Sequence, residues 1–408
     1  MNIAVVKETF PGERRVALVP SVLPALAKAG WKVLLESGAG ESSGFADADY
    51  ESAGATIVPQ RSAAFEQAEV VLQVRCLGAN PEAGRADLEL LKPGQVVIGM
   101  CDPLGNPQAV RELADCQATL FAMEMIPRIT RAQSMDVLSS MATIAGYKAV
   151  LQAANHLPKL FPMLMTAAGT LVAAKVLVIG AGVAGLQAIA SSRRLGAVVH
   201  AYDVRPVVKE QIESLGARFV ELNLDTGDAE DQGGYAKQLT DEQVKMQQQQ
   251  LADIIADCDV CISTAAIPGR PSPLLVTADA VRRMRRGSVV VDLAAERGGN
   301  CELTQADQTV NENGVTILGP TNLSSEVPQH ASQMYAKNLV TFLLHMTKDE
   351  ELDIDLKDEI VRDTLAARDG QVQNGRLRDM LGLEPLVMPE TTPPIDHLAD
   401  SGDSSSRG

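Results

Sequence analysis

Short aliphatic runs alternate with amphipathic ones along the first third of the chain. IAVV (3–6), WKVLLE (31–36), EVVLQV (69–74), QVVIGM (95–100) and ATLFAME (118–124) predict strands, and SVLPALAKAG (21–30) predicts a helix. The strands are apolar throughout instead of alternating, as expected where helices cover both faces of a parallel sheet. Strand and helix in succession therefore argue for an α/β unit built on a doubly wound parallel sheet. A helix-rich stretch runs from about Ser134 to Pro158. A second α/β series then opens at Lys175–Ile179 and continues through 197–203, 217–222, 259–264, 288–294 and 315–319. After Gly319-Pro320 a helical pattern covers Ala331 to Thr347.

Two long helices flanking the second series suggest crossovers between lobes, with the last segment returning to the first lobe. The expected division is 1–136 plus 321–382 for one lobe and 137–320 for the other; a linear pair of domains is the alternative. From Glu384 onward the chain turns Pro-, Ser- and Asp-rich, so 383–408 reads as a disordered acidic tail. Leu171–Ala190 approaches membrane-spanning length, but Lys175 interrupts it and its glycines are spaced as in a nucleotide-binding turn. No transmembrane segment is expected.

Charge narrows the partners. Thirty-six basic against fifty-two acidic side chains leave a net charge of -16, which disfavours nucleic acid and direct contact with anionic lipid. The six cysteines need no disulfides, and the start MNIAVVKETF has no signal-peptide pattern, so a cytoplasmic location is expected. Cys258 and Cys261 form a CxxC inside a strand-like run without two further ligands at sensible spacing. The pair reads as core, and no metal is expected.

Gly180-Ala181-Gly182-Val183-Ala184-Gly185 is a GxGxxG that follows a strand and opens a helix. Gly180 permits the tight turn, Gly182 lets backbone approach a pyrophosphate, and Gly185 allows close helix–strand packing. Asp203 ends the next strand, 23 residues after Gly180, where a carboxylate accepts from a ribose 2′-hydroxyl. Its charge favours NAD(H) over NADP(H). Arg205 is the counter-signal, because arginine accepts a 2′-phosphate; an ion pair or adenine stacking is its favoured reading.

RITRAQSMDVLSSMATIAGYKAV (128–150) carries a second polar cluster. On a helix, Gln133, Asp136 and Ser139 or Ser140 share one face. Amide, hydroxyl and a single carboxylate suit a nicotinamide carboxamide and ribose better than the Lys/Glu mixture of a solvated face. Arg128 and Arg131 precede them on an expected loop, placed for phosphate.

These residues resemble the NAD-binding domain of proton-translocating NAD(P) transhydrogenase, from its alpha subunit. The likeness covers about residues 1–382 through KETFPGERRVALVP, RITRAQSMDVLSS, GAGVAGLQAIA, YDVRP, STAAIPGRPSP and VDLAAERGGNCE. It implies two Rossmann-like lobes with NAD in the cleft and a homodimer. It also implies hydride transfer to NADP(+) on a separate NADP-binding (beta) subunit, coupled to proton movement through a membrane-spanning subunit. The chain resembles the split form of the alpha subunit, peripheral on the inner face of the cell membrane.

The resemblance assigns nicotinamide-side contacts to Arg128, Gln133, Asp136 and Ser139, and places Ile129, Thr130 and Arg131 among the cofactor-binding residues. It assigns the pyrophosphate to Val183 and Ala184, adenosine to Asp203, Val204 and Arg205, and a place beside the cofactor to Ile267. The polar segment from Asp225 to Gln250 resembles a mobile loop with Gly234 in its hinge, Tyr235 folding over the nucleotide, and Gln247 near its end; the DEQVKMQQQQ end reads alternatively as a plain surface helix, which leaves the Gln247 contact open. Such length exceeds a routine connection. Thr130 for serine and Arg297 for glutamine depart from the pattern, and Arg297 alters the charge near the cleft.

Hydride transfer between two nicotinamides moves no proton at either reacting carbon, so orientation and water exclusion suffice. Gln133, Asp136 and Ser139 are accordingly read as orienting groups without an acid–base role. The rival reading is alanine dehydrogenase, whose substrate chemistry needs proton transfer. At the matching stretches this chain has Arg75 for lysine, no histidine in VVIGMCDP, and Glu296 for aspartate. A non-catalytic NAD-binding module is the third reading.

Overall fold

The computed structural model describes residues 1–222, 240–266 and 269–386. It contains two large sheets. The first runs, edge to edge, Gln371–Val372, Leu365–Arg368, Thr119–Ala122, Val96–Met100, Val70–Arg75, Asn2–Val5, Lys32–Glu36 and Thr56–Val58. The strands up to residue 122 pair in parallel, whereas Leu365–Arg368 pairs antiparallel with Thr119–Ala122. The second sheet runs Arg218–Phe219, Val198–Tyr202, Lys175–Ile179, Val260–Ser263, Val289–Asp292, Val315–Leu318 and Thr309–Glu312, parallel except for the last pair.

In both sheets the first strand lies inside and the order reverses beside it, between Asn2–Val5 and Val70–Arg75 and between Lys175–Ile179 and Val260–Ser263. Each sheet thus has a crevice at the carboxyl ends of its strands, where ligands bind in open α/β sheets. The chain is α/β with two Rossmann-like units, as its alternating pattern predicts.

Helix Val137–His156 joins the two cores. Val137, Met141 and Ile144 pack with the first, and Ala149, Val150 and Ala153 pack with the second. Glycine at 146 permits this crossing, because a Cβ there would overlap the Ala184 carbonyl of the following lobe's first helix. Helix Pro328–His345 returns to the first core through Ala331, Tyr335, Leu339 and Leu343, starting on a proline that supplies the helical φ without needing a partner for N–H. The Tyr335 hydroxyl donates to the Gln73 carbonyl at 2.8 Å and fixes the helix over the central strand.

Several local expectations change. The run 217–222 contributes a strand only at Arg218–Phe219. Of the segment from 225 to 250, the DEQVKMQQQQ end takes the surface-helix alternative: Asp241–Ala256 starts at Thr240, which accepts from Gln243 N while Gln243 caps it in return. An antiparallel hairpin, Leu164–Thr166 with Gly169–Leu171, stands exposed between the lobes' sequences. Among the described residues, no helix is long and apolar enough to cross a membrane. Residues 387–408, most of the expected tail, lie outside the described residues.

Candidate nucleotide-binding cleft

The GxGxxG turn has the geometry its glycines imply. Gly180 adopts φ 93°, a left-handed value that side chains disfavour, and its N–H donates to the Tyr202 carbonyl at 2.8 Å. A Cβ on Gly185 would overlap the Gly180 carbonyl, so only glycine lets helix Val183–Arg194 sit this close to the strand. Gly182 faces open space and is exposed, and no side chain caps the helix there. With glycine as the N-cap, the first-turn N–H groups beginning at Val183 and Ala184 receive no capping side chain from among the described residues, which suits an anion.

Asp203 is buried at the end of the neighbouring strand. One carboxylate oxygen accepts from Ala181 N at 2.7 Å, and the other accepts from Arg205 N at 2.9 Å. The Arg205 guanidinium folds back onto the same carboxylate, with Nε at 3.0 Å. The acid is thus tied to the glycine turn, with half-buried Val204 between the pair. Gln247 is buried and donates to the Tyr202 hydroxyl at 2.8 Å, so it buttresses the strand that carries Asp203. Burial drives the Tyr202 phenol up to about 12, which keeps it a neutral partner for that amide. Gly234, Tyr235 and Ile267 lie outside the described residues.

The polar cluster at 128–139 does not form one helical face. Thr130–Met135 is a 3-10 turn, and Asp136 is the N-cap of helix Val137–His156. The tighter turn breaks the 3.6-residue period on which a shared face depends. Asp136 accepts from Ser139 N at 2.9 Å and from Ser139 Oγ at 2.6 Å, which fills one role of a helix cap and orients the serine. Gln133, Arg128 and Thr130 are exposed, while Ile129 packs partly against the first core. Arg131 turns to Asp358 and Glu359, at 2.9 and 3.1 Å. Seven residues separate Ser139 from Gly146, where the helix meets Ala184, or about 10 Å along the axis. One helix therefore starts at the polar cluster and, at its middle, touches the first turn of the helix that follows the glycine motif.

Sequence reasoning missed a set of buried charges at the carboxyl edge of the first sheet. The fully buried Glu13 carboxylate bridges Arg15 at 2.6 Å and Arg75 at 3.0 Å, and Asn322 donates to it at 3.2 Å. Burial pushes Glu13 up, but the hydrogen bonds and charge of Arg15, aided by Arg75, prevail and hold it at about 2. Burial raises Glu8 to about 7 although Val74 N and Arg75 N donate to it. Burial likewise raises Glu124 to about 7; its Oε1 accepts from Asp102 N at 2.8 Å and its Oε2 has no partner. The GERR string holding Glu13 and Arg15 was visible, but Arg75 and Asn322 reach it only through folding. Arg75 also lies 4.2 Å from the Phe10 ring. Both arginines are thus already engaged, and none of the described histidines, at 156, 200, 330 and 345, bonds to this set; His397 lies outside the described residues.

Comparison with known proteins gives a consistent result. The family descriptions "Alanine dehydrogenase/PNT, N-terminal domain" and "Alanine dehydrogenase/PNT, C-terminal domain" match residues 4–145 and 149–375. The chain is 45% identical over 375 residues to the first portion of the NAD(P) transhydrogenase alpha subunit of Rhodospirillum rubrum, covering 91% of this chain and 97% of that relative. The crystal structure of transhydrogenase from Sinorhizobium meliloti superposes with TM-score 0.80 at 43% identity, over 92% of this chain and all of the other. An L-alanine dehydrogenase structure superposes with TM-score 0.78 at 26% identity, over 94% and 99%.

Proposed function

Because the chain belongs to the alanine dehydrogenase/PNT family, and within it to the NAD(P) transhydrogenase alpha subunits, we propose that it holds NAD(H) in the cleft for hydride exchange with NADP(H) on a partner subunit. The observation that carries this reading is the open helix start at Gly182, with Asp203 tied to the same turn. Bound NADH supplies the hydride. Val183 and Ala184 offer backbone N–H groups to the pyrophosphate, and Asp203 accepts from the adenosine ribose, beside Val204 and Arg205. Gln133, Ser139 and Arg128, near Ile129, Thr130 and Arg131, line the nicotinamide end. Asp136 acts there by fixing Ser139 and needs no acid–base role. By resemblance Gly234, Tyr235 and Ile267 also belong to the cofactor-binding set, and Gln247 supports it from behind Tyr202.

This chemistry needs orientation and exclusion of water, which amide, hydroxyl and backbone groups provide. The first lobe supports the choice over amino-acid oxidation: Arg15 and Arg75 are occupied by Glu13, and among the described residues no histidine is bonded to either. The chain acts as a homodimer, peripheral on the inner face of the cell membrane, docking with the NADP-binding (beta) subunit and the membrane-spanning subunit that couples hydride transfer to proton translocation. The exposed hairpin is the part best suited to bind a second copy, with Met163, Met165, Leu171 and Val172 each at least half exposed.

The test mixes the purified chain with the NADP-binding subunit and follows reduction of an NAD analogue by NADPH. Turnover that needs both chains is expected. No turnover, together with pyruvate- and ammonia-dependent NADH oxidation by this chain alone, overturns the proposal in favour of alanine dehydrogenase.

A further inference from the structure

The two lobes meet at a second place besides the connecting helix. Asp102 follows the first-sheet strand Val96–Met100, and Arg297 follows the second-sheet strand Val289–Asp292, both at carboxyl edges. Their side chains form an ion pair across the cleft, each about one-third exposed at 32%. The loop bearing Asp102 is held between two loops of the other lobe. Leu104 packs so closely on Gly269 that a Cβ there would lie 2.7 Å from its own. Ser272 N donates to the Arg297 carbonyl at 2.9 Å and joins those two loops.

Asp102 is shaped for this contact at a cost. Its φ of 46° is left-handed, which disfavours a residue with a side chain. The conformation persists because Asp102 N donates to Glu124 at 2.8 Å, while the Asp102 carbonyl accepts from Gly105 N and Asn106 N. Gly105 has no Cβ at the point where one would overlap both the Asp102 carboxylate and the Arg297 guanidinium.

We propose that the Asp102–Arg297 pair is a clasp between the lobes that sets how long NAD(H) stays in the cleft, a positioning role that rests on the nucleotide-binding reading above. Opening the cleft separates these carboxyl-edge loops, so the pair breaks whenever nucleotide leaves. Because both side chains are partly exposed, the expected effect is modest and salt-sensitive.

The experiment measures NADH release by stopped-flow displacement from the full chain and from Asp102→Asn, Arg297→Gln, the double variant and Gly105→Ala. Thermal melting checks that each remains folded. Each single variant should release NADH about two- to fivefold faster, and the double variant no faster than either charge variant. Gly105→Ala should match them without removing a charge, since its new methyl displaces only flexible side-chain ends. Arg297→Lys should restore part of the slow release. Raising salt should speed release from the wild type and leave the double variant unchanged. Unaltered release from folded Asp102→Asn, Arg297→Gln and Gly105→Ala overturns the clasp while leaving the nucleotide site standing. A wild-type chain that takes up no NADH removes both.

Discussion

Asp203 accepts from the Ala181 backbone and from Arg205, so replacing it disturbs the glycine turn and releases a guanidinium together. Asp203→Ala is expected to weaken NADH at least tenfold, the worth of a charge-assisted hydrogen bond to ribose. NADPH should suffer much less, because the released Arg205 favours a 2′-phosphate. Fluorescence titration with both nucleotides decides the matter, and equal losses would remove the ribose role. Glu124 gives a second expectation. Its folded-state carboxyl titrates near 7 against 4.5 unfolded, so it binds its proton more tightly when folded. Stability is therefore lost as pH rises from about 4.5 to 7, and the loss is complete above that range. Glu124→Gln keeps an acceptor for Asp102 N and should stabilise the chain by about 1–3 kcal/mol at pH 8, with no gain at pH 4. Chemical denaturation at both values checks it; an equal gain at the two would refute burial as the cause. Asp203 and the three glycines were legible because their spacing is local. Glu8, Glu13 and Glu124 were not, since an acidic residue looks alike in sequence whether solvated, paired with an arginine as Glu13 is, or held by backbone N–H groups as Glu8 and Glu124 are.

At the scale of elements, the connecting helix depends on one missing methyl group. A Cβ at position 146 would strike backbone, which yields far less readily than a side-chain tip. Gly146→Ala should therefore cost about 1–3 kcal/mol as the two helices are forced apart. It should also weaken NADH, because the displaced helix carries Ser139 and abuts Ala184. A melting temperature unchanged from wild type would show that the contact relaxes freely. Periodicity located this helix and most of the parallel strands, whose apolar runs are long. It misjudged Gln133, Asp136 and Ser139 as one face because a 3-10 turn and a helix carry similar polar residues. For DEQVKMQQQQ, polarity left loop and surface helix both open, and the capping box of Thr240 and Gln243 decides for the helix. The hairpin at 164–171 lies just before the apolar run Leu171–Ala190, and its two three-residue strands are too short to show a period.

At the scale of the molecule, the exposed hairpin gives the clearest test of assembly. Met165 is 79% exposed and Val172 72% exposed, an arrangement that a second copy can cover. Replacing both with aspartate should convert a particle of twice 43.3 kDa into one of 43.3 kDa by sedimentation, with folding retained. A wild type already at the smaller mass refutes the homodimer. The sheet order has a consequence for biosynthesis as well. Strand Thr119–Ala122 acquires its outer neighbour only when Leu365–Arg368 arrives, more than 240 residues later in the chain. A ribosome thus releases every strand of the second sheet while the first still has a bare margin. The nascent N-terminal third must wait with unpaired backbone exposed, which makes it the natural client for a chaperone during translation.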